Sequence, residues 1–578
     1  MKFVNKILLI LTIVGVISAC DSWDMEQQEN PNALDAQSAS LSDLYNSIQL
    51  GFADQYLAGD YAPGAMARMY MTVAYTYNAA ITNNTMNGVW NSAYSGLFGD
   101  YDALIEKAGE NNFAIHIGSA QVLKAWTMMQ LVDLMGDVPY SEAGKGVEFI
   151  SPKADSGADV YAAAIALLDE AIVNLAIADA PAPALDMIYG GDVAKWTTAA
   201  KTLKMRAYLN TGDLASFDAI VSAGDIIDTA GEDFQFNAGS QRVNPNSRHW
   251  MYNSHYEVGD GSYLNDYYMW LVAGGEESNG AGITTRDPRA RYYFFRKVDD
   301  SENQEVTSYG CHYSVMPTQE DRPSHWSLRT GEISGDFSKI PYCYGTTDGY
   351  IGRDHMNGEG TPPDGYIRSS YGLYPGGGQF DYDNWTLGFA ETRFQGSTGG
   401  LGEGILPVML SSHVKLMQAE RKISAGLDAS AELEAGIIAS MEKVMSFNGL
   451  VSTTMGTAKE LRNGDIVNVG DFYGITATKT TDYATEVMAA YTSASADGKK
   501  DIIAKQYLIA LWGNGLEAYN MWRRTGLPSN MSPALEADPG DFAYSMYYPT
   551  DYISRNGNAT QRALTDRVFW NVGGPELY

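Results

Sequence analysis

Two long stretches of helical hydrophobic rhythm flank a middle in which that rhythm stops, and this break limits the architectures open to the chain. From Ser40 to about Asp225 the pattern is helical. Ser119 to Met135 is largely apolar, with Lys124 and Asp133 as its only charges, which predicts a buried helix. Gly136-Asp137-Val138-Pro139 then stops it, glycine before proline. Asp159 to Ala178 and Asp192 to Asn210 each open on an aspartate, where the helix dipole favours negative charge. The rhythm returns over Pro407 to Ala425, Ala429 to Phe447, Tyr483 to Tyr491 and Lys499 to Arg524. Gly513 and Gly515 each cost up to about 1 kcal/mol inside the last of these, which predicts close approach of a neighbouring helix. Leu527 to Tyr578 reads as loops, with turns at Tyr548-Pro549 and Asn556-Gly557-Asn558. The segments have the length of helix-pair repeats without a clear sequence repeat. A mostly α, discontinuous solenoid interrupted by a loop-rich insert is the expected architecture.

In the middle, from about Phe234 to Thr398, glycine, proline, tyrosine and tryptophan rise together. Between Trp250 and Phe394 there are 26 aromatic residues, about 18% of that stretch against 12% of the whole chain. Long loops inside a compact protein are usually functional, so the ligand is expected here.

The first twenty residues set where the body is displayed. Lys2 and Lys6 lead into an apolar run, Ile7 to Ile17, broken only by Thr12 and Gly15 and followed by Ser18-Ala19-Cys20. Such a run suits a secretory leader better than a membrane span. A cysteine directly after small residues resembles the cleavage box of bacterial lipoproteins. There the thiol carries diacylglycerol and the freed amine an acyl chain such as palmitate, each buried methylene adding about 0.8 kcal/mol of membrane affinity. The alternative is an ordinary signal peptide with a chance cysteine. The expectation is a signal peptide over 1–19, lipidation at Cys20, and a polar, acidic tether over 20–39 that contains Asn30-Pro31-Asn32.

The formal charge is −31, and −33 once the leader and its two lysines are gone. Such a surface repels phosphate backbones, which excludes a nucleic-acid role and argues against polyanionic ligands. Tyrosine (38 residues) and glycine (59 residues) are abundant while charged residues are only 19%, a balance suited to neutral polar ligands. Cys311 and Cys343 either pair or remain buried thiols, and the sequence leaves both open. No zinc-type Cys/His spacing, His-Glu-x-x-His, nucleophile elbow or phosphate-binding glycine loop occurs, so no cofactor is expected. A glycosidase needs two carboxylates about 5 to 9.5 Å apart. Asp381 and Asp383 are neighbours at i and i+2 without that warrant, and read as solvated carboxylates. The chain is not expected to be an enzyme.

Several segments resemble the SusD/RagB family. Leu123-Lys124-Ala125 through Asp133-Leu134-Met135-Gly136-Asp137-Val138-Pro139-Tyr140-Ser141-Glu142-Ala143 is similar to its "LKA…DLYGDVPYSEA" stretch. Lys505-Gln506 through Leu511-Trp512-Gly513-Asn514-Gly515-Leu516-Glu517-Ala518, followed by Trp522-Arg523-Arg524-Thr525-Gly526, looks like its "K…LxGxGxEAxxxWRRTG" helix. Pro407-Val408-Met409-Leu410 with Ala419-Glu420 resembles its "P-x-M…AE" helix, and Trp90, Tyr94, Leu97 and Tyr101 fit the same pattern. The middle stretch matches least well. The resemblance implies a SusD-like fold of tetratricopeptide-like helix pairs with a large loop-rich insert. It implies one domain over 40–578, with a helical scaffold at 40–233 and 399–526, a ligand-facing insert at 234–398 and C-terminal loops at 527–578. It also implies a Bacteroidetes-type lipoprotein, anchored in the outer membrane and facing outward. Such a protein captures oligosaccharides, or alternatively oligopeptides, for a SusC-like TonB-dependent barrel. A surface adhesin is a third reading.

For a sugar ring the candidates are flat aromatic faces with amides and guanidiniums beside them. In the middle stretch these are Trp250, Trp270, Trp326, Tyr366, Tyr371 and Trp385. Arg353 and Arg368 are candidates to grip hydroxyls or a carboxylate, although an internal Arg–Asp pair that stitches the loop is favoured for them. Tyr75, Tyr77 and Asn83 are expected to contribute from the scaffold. A cation held by Asp354, His355 and Asp364 is the least favoured reading. Trp126, Trp196, Trp512 and Trp522 lie in helical patterns and are expected to be packing.

Overall fold

A computed structural model of the protein describes residues 39–72, 74–109, 113–257, 263–280, 282–297, 350, 352–358, 368–384, 396–461, 463–534, 536 and 538–578. The leader, Cys20, the tether up to residue 38, Cys311, Cys343, Trp326, Tyr366 and Trp385 lie outside the described residues. The fold is mostly helical, and its long helices pack against one another, largely as sequence neighbours. Among the described residues no helix is long and apolar enough to cross a membrane.

Helix α1 (Leu41–Ala58) begins at a capping box in which the Ser40 hydroxyl accepts from the Asp43 amide and the Asp43 carboxylate accepts from the Ser40 amide. A short helix α2 (Tyr61–Met66) follows. Helix α3 (Phe98–Gly109) leads to α4 (Ala114–Met135), which buries every residue except Ile117 and Lys124. Its pattern is apolar all round because helices surround it. Helix α5 (Gly157–Leu175) opens two residues before the expected aspartate, because Ser156 is the cap and Asp159 donates its amide to the Ser156 hydroxyl. Helix α6 (Val193–Thr211) starts at Asp192, whose carboxylate accepts from the Ala194 and Lys195 amides. Helix α7 (Leu214–Ala223) completes the N-terminal half, and α8 (Asp266–Ala273) lies in the middle stretch.

Two expected helices take a different form. Pro407 does not start a helix. Ile405–Met409 is instead a fully buried strand that pairs antiparallel with Phe234–Asn237. The following helix α9 (Ser411–Ser424) begins where the Ser411 amide donates to Asp233 Oδ1. Proline lacks a donor, and a buried apolar run read without flanking context does not separate strand from helix. After α10 (Ser430–Met445) and α11 (Ala477–Ser493), the Lys499–Arg524 pattern splits into α12 (Ala496–Ala510) and α13 (Gly515–Thr525). Gly513 sits at φ +94° in the break, a conformation L side chains avoid. At Gly515 a Cβ atom would lie 2.3 Å from the Asp60 carbonyl oxygen and 2.6 Å from the Gly64 Cα, so the expected close approach is real, and α2 makes it.

The two halves meet at a buried polar hub. Asp133, at the end of α4, accepts at Oδ2 from Arg206 Nη2 (2.6 Å) and Asn520 Nδ2 (2.9 Å). At Oδ1 it accepts from the Tyr161 hydroxyl and from Trp570 Nε1 (2.9 Å). Arg206 on α6 also binds Glu517 of α13, while Arg523 Nη2 donates to the Asp133 carbonyl (2.8 Å) and to Asn520 Oδ1 (2.6 Å). Burial disfavours the Arg206 charge, but the Glu517 and Asp133 carboxylates override it and hold this guanidinium well above its usual range. Beside the hub, Arg524 forms a bidentate pair with Glu420 of α9 at 2.7 and 2.8 Å. The C-terminal stretch is built into the core, with the Met546 amide donating to the Leu134 carbonyl (2.7 Å). Trp126, Trp196, Trp512 and Trp522 are all buried packing, as expected.

Asp133→Ala should lower the unfolding free energy by about 3 to 5 kcal/mol, measured in urea titrations followed by tryptophan fluorescence, because it leaves buried donors and part of a buried charge without a partner. A second expectation concerns Asp60, which accepts from the Gly515 amide (2.5 Å) and the Tyr70 hydroxyl (2.8 Å). Burial pushes its carboxyl up to about 7 despite those two bonds. The native state therefore holds a proton that the unfolded chain releases near pH 4, and this contribution is lost as pH rises from about 4 through 7. Asp60→Asn should flatten the stability–pH curve across that window by an amount on the order of 4 kcal/mol.

Candidate functional site

Among the described residues, the aromatic rings of the middle stretch lie largely in the interior. Trp512 is ringed by Tyr268 (4.8 Å between centroids), Phe294 (5.3 Å), Tyr293 (5.7 Å), Tyr70 (5.8 Å) and Tyr371 (6.0 Å). Tyr371 is thus buried in the core instead of forming an outer face, and Trp270 is likewise buried on α8. Trp250 is half-buried and packs edge-on against Tyr371 (5.4 Å), Tyr70 (5.7 Å) and Tyr61 (6.0 Å). These rings satisfy the apolar demand of a loop-rich region that has few regular elements to bury.

Arg353 and Arg368 are buried too. Their guanidinium carbons sit 4.8 and 4.4 Å from the centre of the Tyr263 ring, and the Arg353 backbone exchanges hydrogen bonds with the Leu264 carbonyl and the Asp266 amide. The loop is held through this stack and backbone pairing. Asp381 and Asp383 also differ from their expected solvated state. Arg296 binds Asp381 (Nε to Oδ2 2.6 Å) and Asp383 (Nη2 to Oδ1 2.5 Å), and Arg291 Nη1 lies 2.8 Å from Asp383 Oδ1. Burial works against the Asp383 charge, yet Arg291 and Arg296 hold its carboxyl below the usual range. Two carboxylates clamped this way are unsuited to proton transfer. Among the described residues no group of three His, Cys, Asp or Glu side chains is placed to hold a metal ion, and Asp364 lies outside them.

An outward face is instead assembled around Tyr75, whose ring is 55% exposed. The segment 74–84 lies between the 352–358 loop and the C-terminal stretch. A Cβ atom at Gly358 would come within 2.4 to 2.6 Å of the Tyr75 ring, so glycine lets the loop backbone lie flat against it. The Gly358 amide donates to Glu536 Oε1 (3.2 Å), and the Tyr77 amide donates to the Pro539 carbonyl (2.9 Å). Tyr77 itself points inward, its hydroxyl 3.2 Å from His355 Nε2 and its ring edge-on to Phe542 at 5.6 Å. Burial, with Arg68 nearby, holds His355 well below its usual range, so it stays neutral under the platform. Asn83 is exposed, and its carbonyl accepts from the Thr550 amide at 3.0 Å. Asn84 Oδ1 accepts from the Thr550 hydroxyl (3.0 Å), and Asn78 Oδ1 from the Tyr547 hydroxyl (2.8 Å). The result is an exposed Tyr75 ring beside Gly358, on a segment sewn to the C-terminal stretch by amides and hydroxyls.

Of the candidates read from the sequence, Tyr75 and Asn83 are exposed along this segment, while Tyr77 is buried beneath it. Trp270 and Tyr371 belong to the same buried core as Tyr77, Trp250 packs against it, and Trp326, Tyr366 and Trp385 are outside the described residues. Glu536, Tyr547 and Thr550 were missed by sequence reasoning. Their only signal was the Tyr548-Pro549 turn, which marks a bend but gives no hint of what it packs against. A cavity of about 460 Å³ opens at the ends of α6, α9 and α13, where Arg524 donates to both Glu420 and Asn210. Trp270→Ala or Tyr371→Ala should cost about 3 to 5 kcal/mol of stability. Tyr75→Ala should change it by no more than about 0.5 kcal/mol. Thermal melts of the three variants side by side check the division between interior and platform.

Comparison with known proteins agrees with this architecture. A family described as SusD-like, "Starch-binding associating with outer membrane", matches residues 31–334 and 376–549. No curated protein matches the sequence. Among solved structures, a SusD/RagB family protein from Bacteroides thetaiotaomicron is similar at TM-score 0.62 and 18% identity, covering 93% of this chain and 100% of the other. A chitin-binding protein aligns at TM-score 0.61 and 17% identity, over 92% of this chain and 100% of that one. A chitin-binding SusD homologue from Flavobacterium johnsoniae gives TM-score 0.56 and 16% identity, over 92% and 98%. At such identities the likeness is one of fold.

Proposed function

Because the chain belongs to the SusD-like family, we propose that it is an outer-membrane lipoprotein that captures oligosaccharides at the cell surface and delivers them to a SusC-like TonB-dependent barrel. Cys20 is the anchor to the outer-membrane lipid, and the ligand lies on the Tyr75 face. The observation that carries this reading is the exposed Tyr75 ring, backed by Gly358, on a segment whose Asn78, Asn83 and Asn84 are exposed as well. The C–H face of a sugar covers such a ring, while amides and hydroxyls serve its equatorial groups. The family description names starch binding, and two structural neighbours are described as chitin-binding, which supports a glycan as ligand. A charge of −31 favours neutral polymers over sulfated or uronic ones. Capture of this kind needs neither a catalytic pair nor a cofactor.

The test is a binding panel of neutral oligosaccharides, acidic oligosaccharides and peptides against the protein lacking residues 1–20. Neutral glycans should bind saturably, and Tyr75→Ala should weaken them by about 1 to 3 kcal/mol. Binding of peptides alone, or affinity indifferent to Tyr75, would overturn the reading.

A further inference from the structure

The glycan face does not end at Asn83. The helix that follows it runs from Asn87–Asn91 into a π-helical turn, Ser92–Leu97, before α3 begins. A π turn holds one more residue than an α turn and re-phases the side chains that follow it, and such turns concentrate at functional sites. Trp90 and Asn91 just before it, with Tyr94 and Ser95 four residues on, line one wall of a pocket of about 330 Å³. The facing wall comes from the short helix Thr550–Arg555, through Asp551 and Tyr552.

The pocket has the make-up of a saccharide site. Trp90 is half-buried, with the Tyr94 and Tyr552 rings each 4.4 Å from it and inclined by 38° and 32°. Tyr94 is locked in place because its hydroxyl donates to the Pro139 carbonyl at 2.7 Å. Asn91 and Ser95 are exposed at the rim, and Asp551 and Arg555 stand 3.5 Å apart on the other side. Rigid rings with short amide, hydroxyl and paired charged groups around them fit a neutral pyranoside, and the volume is at the small end of ligand pockets.

Position makes this pocket a continuation of the first face. The same helix that supplies Tyr552 begins at Thr550, whose amide and hydroxyl bind Asn83 and Asn84. We infer that the Trp90–Tyr94–Tyr552 pocket is a second saccharide subsite, and that the protein selects chains long enough to reach it from Tyr75. This rests on the capture reading above.

The test is calorimetry with chitin-derived and starch-derived oligosaccharides from disaccharide to hexasaccharide, with wild type, Trp90→Ala and the rim double variant Asn91→Ala/Asp551→Ala. Wild-type affinity should rise about tenfold with length in the series that binds, the amount expected from one added aromatic contact and its hydrogen bonds. Trp90→Ala should keep the disaccharide affinity and lose the gain. The rim variant, whose altered residues are at the surface, should lose part of it and decides the matter if Trp90→Ala fails to fold. A gain that persists in the folded variants, a wild type without gain, or equal loss at every length overturns the second subsite while leaving capture at Tyr75 intact. No binding at any length by wild type takes down the capture reading and this inference together.

Discussion

Four donors converge on one carboxylate at the centre of this protein. Asp133 ends the most deeply buried helix and receives bonds from Arg206, Asn520, Tyr161 and Trp570, which belong to segments separated by up to 437 positions. With Glu517 and Arg523 beside it the group holds two negative and two positive side chains, so charge is balanced without water. Ion clusters of this kind add little net stability compared with an apolar core of the same volume. What they impose is register, since a helix slipped by one residue would strand a charge in a low-dielectric interior. The N-terminal helices, the α12–α13 pair and the C-terminal stretch are aligned by that requirement.

The motifs legible in the sequence prove to be parts of this assembly. Asp133 and the following Gly-Asp-Val-Pro turn, Glu517 with Arg523, and Glu420 with Arg524 were visible as separate similarities to one family, and in the structure they bind one another. The helical rhythm was readable for the same reason, since burial against neighbours writes a period into the chain. Boundaries were less so. A fully apolar Ile-Leu-Pro-Val-Met run reads alike as strand or helix, and a glycine break at Gly513 was masked by strong patterns on both sides.

The proposed binding face was the hardest part to read. Aromatic enrichment drew attention to the middle stretch, where Trp270, Tyr371 and the rings around Trp512 serve the interior. Composition counts rings without knowing which way they turn. The exposed platform depends on three segments that are hundreds of residues apart, with the backbone of Gly358 and the Thr550 turn as its supports. A passive receptor has no strict spacing among its contact groups, unlike a catalytic dyad or a metal site, so it leaves no local signature. The pairing of Asp381 and Asp383 with arginines makes the same point from the other side, because a suggestive spacing turned out to be internal scaffolding.

The short antiparallel pair formed by Phe234–Asn237 and Ile405–Met409 carries a consequence for how such a chain can diversify. Asn237 stands opposite Ile405, so the middle stretch leaves and rejoins the helical frame at neighbouring points. The rings of Tyr268, Tyr293, Phe294 and Tyr371 plug the space around Trp512, so only the parts of the stretch that stay outside that packing can be exchanged without disturbing the frame. The frame is thereby inherited together with the rings that plug it, and variation is left to what lies beyond them.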